Sequence, residues 1–260
     1  MIVNKQKSLA QNFLAKAHLA TSLVNDSSIN SEDIVYEIGP GRGIITKELA
    51  KRAKKVIAVE KDCDLYIELR EKFCSKSNIA LFNVDFLKFR IREPYYKVFA
   101  NVPFNITSAV IRKAVYAANP PIEAYLIVQK GAAEKFIGAT KTTQFSVLVK
   151  PWFKLKIIRF FKRTDFCPVP RVNVVLLHIE KRIPALIPRT DMPLYEGFIK
   201  KGFNSWKKNL KLNYKSIFTY KQWKRLSHDL RFSLHAKPSE LVFKQWFGLF
   251  KFYKGNGSAR

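Results

Sequence analysis

Acidic residues are scarce in this chain: 20 Asp and Glu stand against 47 Lys and Arg, a formal net charge of +27 over 260 residues. A globular chain with that excess repels itself unless its habitual partner is a polyanion. Nucleic acid is therefore expected ahead of an anionic membrane surface. Cysteine is also scarce. Cys63, Cys74 and Cys167 are odd in number and form no Cys-x-x-Cys pair. That argues against a disulfide framework or a zinc ribbon and predicts structural thiols in a reducing cytoplasm. The four histidines, His18, His178, His228 and His235, lack the spacing of a ligand cluster, so no metal is expected. No apolar run approaches the roughly 18–20 residues of a membrane span, so no membrane partner is expected. The opening Met1-Ile2-Val3-Asn4-Lys5-Gln6-Lys7 lacks the apolar stretch of a signal peptide. Internal repeats and low-complexity tracts are missing as well.

What the chain does have is a 47% apolar composition, enough for a sizeable core, and a length that suits one α/β domain plus a smaller one. The charge is uneven. Residues 1–180 carry a net +13 and residues 181–260 a net +14, so the C-terminal part is about twice as positive per residue. The first part alternates strand-like and helix-like segments. Ile34–Ile38, Val56–Val59, Ile79–Phe82, Val98–Ala100 and Ala124–Val128 read as strands, and Ile44–Ala53, Asp62–Phe73 and Thr107–Tyr116 as helices. This alternation predicts a doubly wound, mostly parallel sheet. Trp152–Ile158 and Val172–Ile179 flank the proline-marked turn Phe166–Pro170 and predict an antiparallel edge hairpin. Pro184, Pro188 and Pro193 mark a linker, followed by helices over Leu194 to about Leu210, Tyr220–Leu230 and Ser239–Phe250, the last capped by Ser239. The expected division is residues 1–183 as an α/β domain and residues 184–260 as a small all-α domain.

Two motifs carry chemistry. Glu37-Ile38-Gly39-Pro40-Gly41-Arg42-Gly43 is a glycine loop after a strand, with Gly39 and Gly41 at its centre. It does not fit the Gly-x-Gly-x-x-Gly dinucleotide fingerprint, and no Gly-Lys-Ser/Thr follows it as in a Walker loop. Glu60 closes the second strand, where a carboxylate can accept from both ribose hydroxyls. Asp85 follows the third strand and is suited to accept from an adenine amino group. A nucleoside site with acidic recognition and no phosphate cradle suits S-adenosylmethionine.

Asn101-Val102-Pro103-Phe104 stands at the tip of the strand Val98-Phe99-Ala100. An amide, a stiff turn and an aromatic face there form a clamp for a planar amine. Adenine N6 is a poor nucleophile because its lone pair delocalises into the ring. Hydrogen bonds from its two N–H groups to the Asn101 oxygen and a neighbouring carbonyl favour a pyramidal nitrogen, and Phe104 stacks on the base. Either residue alone reads as a turn cap or a core aromatic; together, beside a cofactor loop, they point to methyl transfer onto an exocyclic nitrogen.

With these residues in view, the chain resembles the ribosomal RNA adenine N6-dimethyltransferases over nearly its whole length. The match rests on Ser8-Leu9-Ala10-Gln11-Asn12-Phe13-Leu14, the Glu37–Gly43 loop, Asn101-Val102-Pro103-Phe104-Asn105 and Asp165-Phe166-Cys167-Pro168-Val169-Pro170-Arg171-Val172. Ala10 stands where the family usually has Gly or Ser. The resemblance implies a Rossmann-like class I methyltransferase fold, with S-adenosylmethionine as cofactor and S-adenosylhomocysteine as product. It also implies that Asn12 and Leu14 fold over the cofactor, joining Gly39, Glu60, Asp85 and Asn101.

Two branches of the family compete. One methylates an adenine of 23S rRNA and confers macrolide–lincosamide–streptogramin B resistance; the other dimethylates adenines of small-subunit rRNA. Phe161-Lys162-Arg163-Thr164-Asp165-Phe166 and Gln245-Trp246-Phe247-Gly248-Leu249-Phe250 look more like the resistance branch, and the charge suits 23S rRNA that is protein-free or an early precursor. A non-catalytic RNA-binding relative and, more weakly, a DNA adenine methyltransferase compete with both branches. RNA contacts are expected from Arg112, Lys113, Lys207, Lys208 and Lys211, with Lys5 and Lys7 as a basic arm. A cytoplasmic monomer is expected.

Overall fold

The structure is a computed structural model that describes residues 12–204 and 209–257. Lys5, Lys7, the Ser8–Gln11 part of the first motif, Lys207 and Lys208 lie outside the described residues. The chain divides into two compact units, Met1–Ala133 with Lys154–Lys181, and Glu134–Phe153 with Arg182–Arg260.

In chain order the elements are β1 (Phe13–Leu14), α1 (Ala17–Asn25), β2 (Ile34–Ile38), α2 (Ile44–Arg52), β3 (Lys55–Glu60), α3 (Cys63–Lys72), β4 (Ile79–Asn83), β5 (Lys97–Asn101), α4 (Thr107–Tyr116) and β6 (Glu123–Gln129). There follow α5 (Lys130–Ile137), α6 (Gln144–Val149), β7 (Phe153–Phe160), β8 (Phe166–Cys167), β9 (Val174–Lys181), α7 (Met192–Phe203), α8 (Leu210–Asn213), α9 (Tyr220–Asp229) and α10 (Phe243–Gly257).

Seven strands form one sheet in the order β4-β3-β2-β5-β6-β9-β7. The first five run parallel, and β9 is antiparallel to β6. Central strands of such a sheet are covered on both faces, so they must be apolar on both. Val35, Val56, Val98, Phe99, Ala124 and Leu126 are accordingly buried. The chain leaves β4 at one edge and returns to β5 on the far side of β2. The strand order therefore reverses between β2 and β5, and a crevice opens at their C-terminal ends. Ile38 pairs with Ala100 across these strands, so Gly39 and Asn101 emerge next to each other at that crevice.

A second, two-stranded pairing joins distant segments. Phe13 faces Cys167 and Leu14 faces Phe166 in antiparallel register, and the Ala15 N–H donates to the Asp165 carbonyl at 2.8 Å. Leu14 and Phe166 are both buried and belong to the core beneath the crevice. The three cysteines are free and exposed, so they do not serve the structural packing role expected of them.

The second unit is held by aromatic rings. Trp246, Tyr195 and Tyr214 are fully buried, and Phe198 stacks on Tyr214 with ring centroids 4.7 Å apart. Burying a phenol requires a partner for its hydroxyl: Tyr214 donates to the Phe198 carbonyl at 2.7 Å and Tyr195 to the Val147 carbonyl at 2.9 Å. Helix α9 starts at a capping box of Thr219 and Gln222 and buries Trp223 and Leu226. Two expected boundaries move. The helix from Leu194 ends at Phe203 rather than Leu210. Ser239 sits inside a short 3-10 turn, Pro238–Glu240, so the last helix starts at Phe243 and runs past Phe250 to Gly257.

Candidate active site

The crevice at the ends of β2 and β5 is lined by the Asn12–Leu14 segment, Glu37, the Gly39–Arg42 loop and the Asn101–Phe104 turn. Its floor is a left-handed backbone. Gly39 and Gly41 adopt φ of 62° and 58°, a region that penalises any residue with a Cβ. A Cβ on Gly41 would also approach the Phe13 ring to 2.6 Å, whereas one on Gly39 would meet no atom within 4 Å. Gly41 is thus needed for packing against Phe13, and Gly39 leaves space in the crevice.

Glu60 fastens this loop from the next strand. Its two carboxylate oxygens accept from the Gly41 N–H at 3.1 Å and the Asp62 N–H at 2.9 Å. Asp85 stands one strand further, where Lys61 pairs with it at 2.8 Å and the Leu87 N–H donates to it at 2.9 Å. The Lys61 contact first, and the Leu87 N–H next, hold its carboxyl below the usual carboxylate range.

Sequence reasoning treats Glu37 as part of a motif and gives it no role. The structure buries it to 1% exposure, with its Oε2 lacking a hydrogen-bond partner among the described residues. Burial above all, with the charge of Glu60 adding to it and Thr46 opposing, pushes its carboxyl up to about 8.

Asn101 ends β5, and its Nδ2 donates to the Asn12 carbonyl at 2.6 Å. A backbone carbonyl can only accept, so it selects the amide orientation and turns Oδ1 away as an acceptor. The following turn is pinned by the Val102 N–H on the Ile127 carbonyl and by the Ile106 N–H on the Pro103 carbonyl, both at 3.1 Å. This turn carries Phe104, half-buried against the core, into the crevice lining. Asn12, Leu14, Gly39, Gly41, Asn101 and Phe104 are thereby brought together, with Glu60 at the end of β3 and Asp85 just beyond β4.

The expected RNA contacts are dispersed. Arg112 is exposed on α4. Lys113, its neighbour, points inward: its ammonium donates to the carbonyls of Phe86, Leu87 and Phe89 at 2.5, 2.9 and 2.6 Å. An ammonium has three donors, and all three are used there. Partial burial holds its pKa below the ordinary lysine value, against the pull of Asp85. Lys211, on α8 of the second unit, lies over the Tyr220 ring at 4.6 Å. A basic hollow that sequence reasoning missed lies beyond the end of β6, lined by Gln129, Lys130, Arg163, Arg171 and Asn173. Asn101 pairs with Ile127, so this hollow starts two residues further along the strand beside the Asn101–Phe104 turn. The signal available in the sequence was the pair Arg163 and Arg171 on either side of the proline turn. Among the described residues, no group of His, Cys, Asp or Glu is arranged to hold a metal.

The profile of the ribosomal RNA adenine dimethylase family matches residues 2–254. An rRNA adenine N-6-methyltransferase of Limosilactobacillus reuteri is 30% identical over 246 residues, which span 94% of this chain and 95% of that protein. Ribosomal RNA small subunit methyltransferase A of Acaryochloris marina is 30% identical over 257 residues, again 94% of this chain and 95% of that one. Among solved structures, the 23S rRNA methyltransferase ErmE superimposes with a TM-score of 0.87 at 24% identity, covering 94% of this chain and all of the other, a likeness of fold.

Proposed function

The chain belongs to the ribosomal RNA adenine dimethylase family, and from that premise we propose that it methylates N6 of one adenine in 23S rRNA and so confers macrolide–lincosamide–streptogramin B resistance. One observation carries the reaction class: the Asn101 amide is fixed with its oxygen turned away from the Asn12 carbonyl as an acceptor, beside Phe104 and on the same crevice as the glycine loop.

S-adenosylmethionine is the methyl donor proposed, and the crevice fits it. Gly39 opens into the space without obstruction, and a buried carboxylate oxygen there faces no donor among the described residues. Asn12, Leu14, Gly39, Gly41 and Asn101 would hold the cofactor, with Glu60 and Asp85 serving its ribose and base. When bound, it supplies a methyl group on a positively charged sulfur and leaves as S-adenosylhomocysteine.

The chain's own residues do the rest. Asn101 Oδ1 and a carbonyl of the turn accept from the adenine amino group and turn its lone pair towards the donor. Phe104 holds the plane of the base, which stacking stabilises by roughly 1–3 kcal/mol. The extruded adenine leaves its neighbours' phosphates outside the crevice. Arg112, Lys211 and the hollow of Lys130, Arg163 and Arg171 are proposed to hold the RNA backbone; Lys113 is omitted because its donors are committed.

The net charge of +27 favours rRNA not yet covered by protein, which supports the 23S target. A small-subunit adenine is the second reading, favoured by the equal identity to the small-subunit relative. Methylation of protein-free 23S rRNA and of small-subunit particles with labelled cofactor, followed by primer extension, separates the two. A stop at one 23S adenine, with raised drug tolerance in an expressing host, is expected; label confined to small-subunit RNA would overturn the 23S assignment.

A further inference from the structure

The first unit holds a second cavity, of about 300 Å³, that shares no lining residue with the crevice. Side chains alternate between the two faces of a strand. Val35, Phe99 and Ile127 belong to the core that contains α1 and α2, so Ile38, Val98 and Leu126, each an odd number of residues away, face the opposite side. These three line the cavity floor. Val110 and Ala114 of α4 form one wall, and Phe86, Arg90 and Ile91 of the segment between β4 and β5 form another. The polar side chains of the interior are committed. The Tyr96 hydroxyl donates to the Asn119 carbonyl at 2.9 Å and the Asn119 amide to the Glu93 carbonyl at 2.6 Å. Lys113 spends its three donors on the Phe86, Leu87 and Phe89 carbonyls. Arg90 is different. It is exposed at the mouth and makes no hydrogen bond or ion pair among the described residues. The acidic residues of its own segment are engaged elsewhere: Asp85 pairs with Lys61, and Glu93 accepts from the Tyr36 hydroxyl. Lys88 and Arg92, exposed on either side, add positive charge.

We propose that this cavity is a binding site for a medium-chain carboxylate, with the hydrocarbon against Ile38, Val98 and Leu126 and the carboxylate on the Arg90 guanidinium. The division of the lining sets the class of ligand. An interior whose donors are already spent cannot satisfy a ligand's polar groups, and a polar group buried there without a partner is costly. Sugars and nucleosides are therefore poor occupants, and the body of the ligand is hydrocarbon. At the mouth, a planar guanidinium without a partner matches a carboxylate in shape and charge, and such charge-assisted pairs are the stronger ones. A mostly apolar pocket with one placed polar group is the usual form of a small-molecule site. The site is separate from the methyl-donor reading and does not depend on it.

Calorimetric titration of the full chain with octanoate and with 1-octanol, below the range where either aggregates, tests the site. Octanoate should saturate at one per chain and bind about tenfold more tightly than the alcohol, the difference that one hydrogen-bonded ion pair supplies. Arg90→Met should bring octanoate down to the affinity of octanol while leaving octanol unchanged. Arg90 is exposed, so this variant keeps its fold. Ala114→Leu fills the space beside α4 and should weaken both ligands; should it not fold, the Arg90 variant still decides. Saturating S-adenosylhomocysteine should leave octanoate binding in place. Equal affinity for the two ligands would overturn the proposal, as would octanoate binding that Arg90→Met does not weaken. Several octanoates per chain would mean adsorption on the basic surface, and displacement by S-adenosylhomocysteine would put octanoate in the crevice; either outcome also overturns it.

Discussion

The Asn101 side chain donates to the Asn12 carbonyl at 2.6 Å, so the strand tip and the N-terminal motif, 89 residues apart, orient one amide together. This bond makes two substitutions separable. Asn101→Ala removes acceptor and donor, and kcat should fall by about 10²–10³-fold or more, as when a group aimed at the reacting centre is removed. Binding to RNA should stay within about twofold. Asn101→Asp keeps an acceptor but sets a carboxylate against the Asn12 carbonyl, so cofactor affinity should fall with kcat. Single-turnover methylation and filter binding check both.

The two central glycines should fail in different ways. Gly41→Ala combines a left-handed φ of 58° with a Cβ 2.6 Å from the Phe13 ring, and about 1–2 kcal/mol from the backbone alone is expected, plus the displacement of Phe13. Gly39→Ala carries the backbone penalty without a clash, but its methyl occupies the crevice. Thermal melting should therefore drop further for Gly41→Ala. Cofactor affinity relative to stability should suffer more in Gly39→Ala.

Stability should depend on pH through Glu37. Its folded carboxyl titrates near 8 against 4.5 in the unfolded chain, so between these values the native state holds a proton that the unfolded state has released. Stability contributed by the neutral buried carboxyl is thus present below about pH 4.5 and is lost as pH rises towards 8. Glu37→Gln is neutral throughout. Without cofactor, its melting temperature should gain on the wild type progressively between pH 5 and 8, with a free-energy gap on the order of a few kcal/mol at the upper end.

The basic hollow predicts a salt signature. Arg163→Glu and Arg171→Glu should weaken RNA binding, and the slope of log affinity against log salt should shrink by about 0.7–0.9 for each phosphate that the variant no longer neutralises. Cofactor affinity should not change. An unchanged slope in both variants would remove the hollow from the RNA path.

Much of the parallel sheet was legible because buried strands are continuous apolar runs. The runs at Ile34, Val56, Ile79, Val98 and Ala124 lie in the strands β2 to β6. The helix expected from Asp62 forms as α3, with Asp62 as its cap, accepting from the Asp64 and Leu65 N–H groups. The β1–β8 pairing was not legible: two-residue strands have no periodicity, and their partners are some 150 residues apart. Helices α5 and α6 were passed over although Gly138, left-handed at φ 71°, follows α5 and a Thr143–Ser146 capping box opens α6. Ser239 after Pro238 imitates a cap, but it sits inside a 3-10 turn that closes before Phe243. Glu37 looked like part of a loop motif, and only packing reveals that its oxygen lacks a partner. For the β1–β8 pairing and for Glu37 the deciding neighbours are remote in the chain.

Lys113 is the sharpest instance, and it yields a last prediction. By position it resembles an exposed cation behind the Asn101–Phe104 turn, ready for a phosphate. Its ammonium instead ties down the Phe86, Leu87 and Phe89 carbonyls and lies 4.8 Å from the Phe86 ring centre. That segment follows directly from Asp85, whose side chain holds the Leu87 N–H. Lys113→Met keeps most of the stem and leaves three carbonyls, two of them partly buried, without the donor. Such vacancies are costly, at about 1–3 kcal/mol for a buried acceptor. The variant should melt earlier and, with Asp85 displaced, bind cofactor more weakly, while its RNA affinity and salt slope match the wild type. A lysine that served RNA directly would give the reverse pattern, with cofactor binding intact and the salt slope reduced, and the two titrations together decide between these roles.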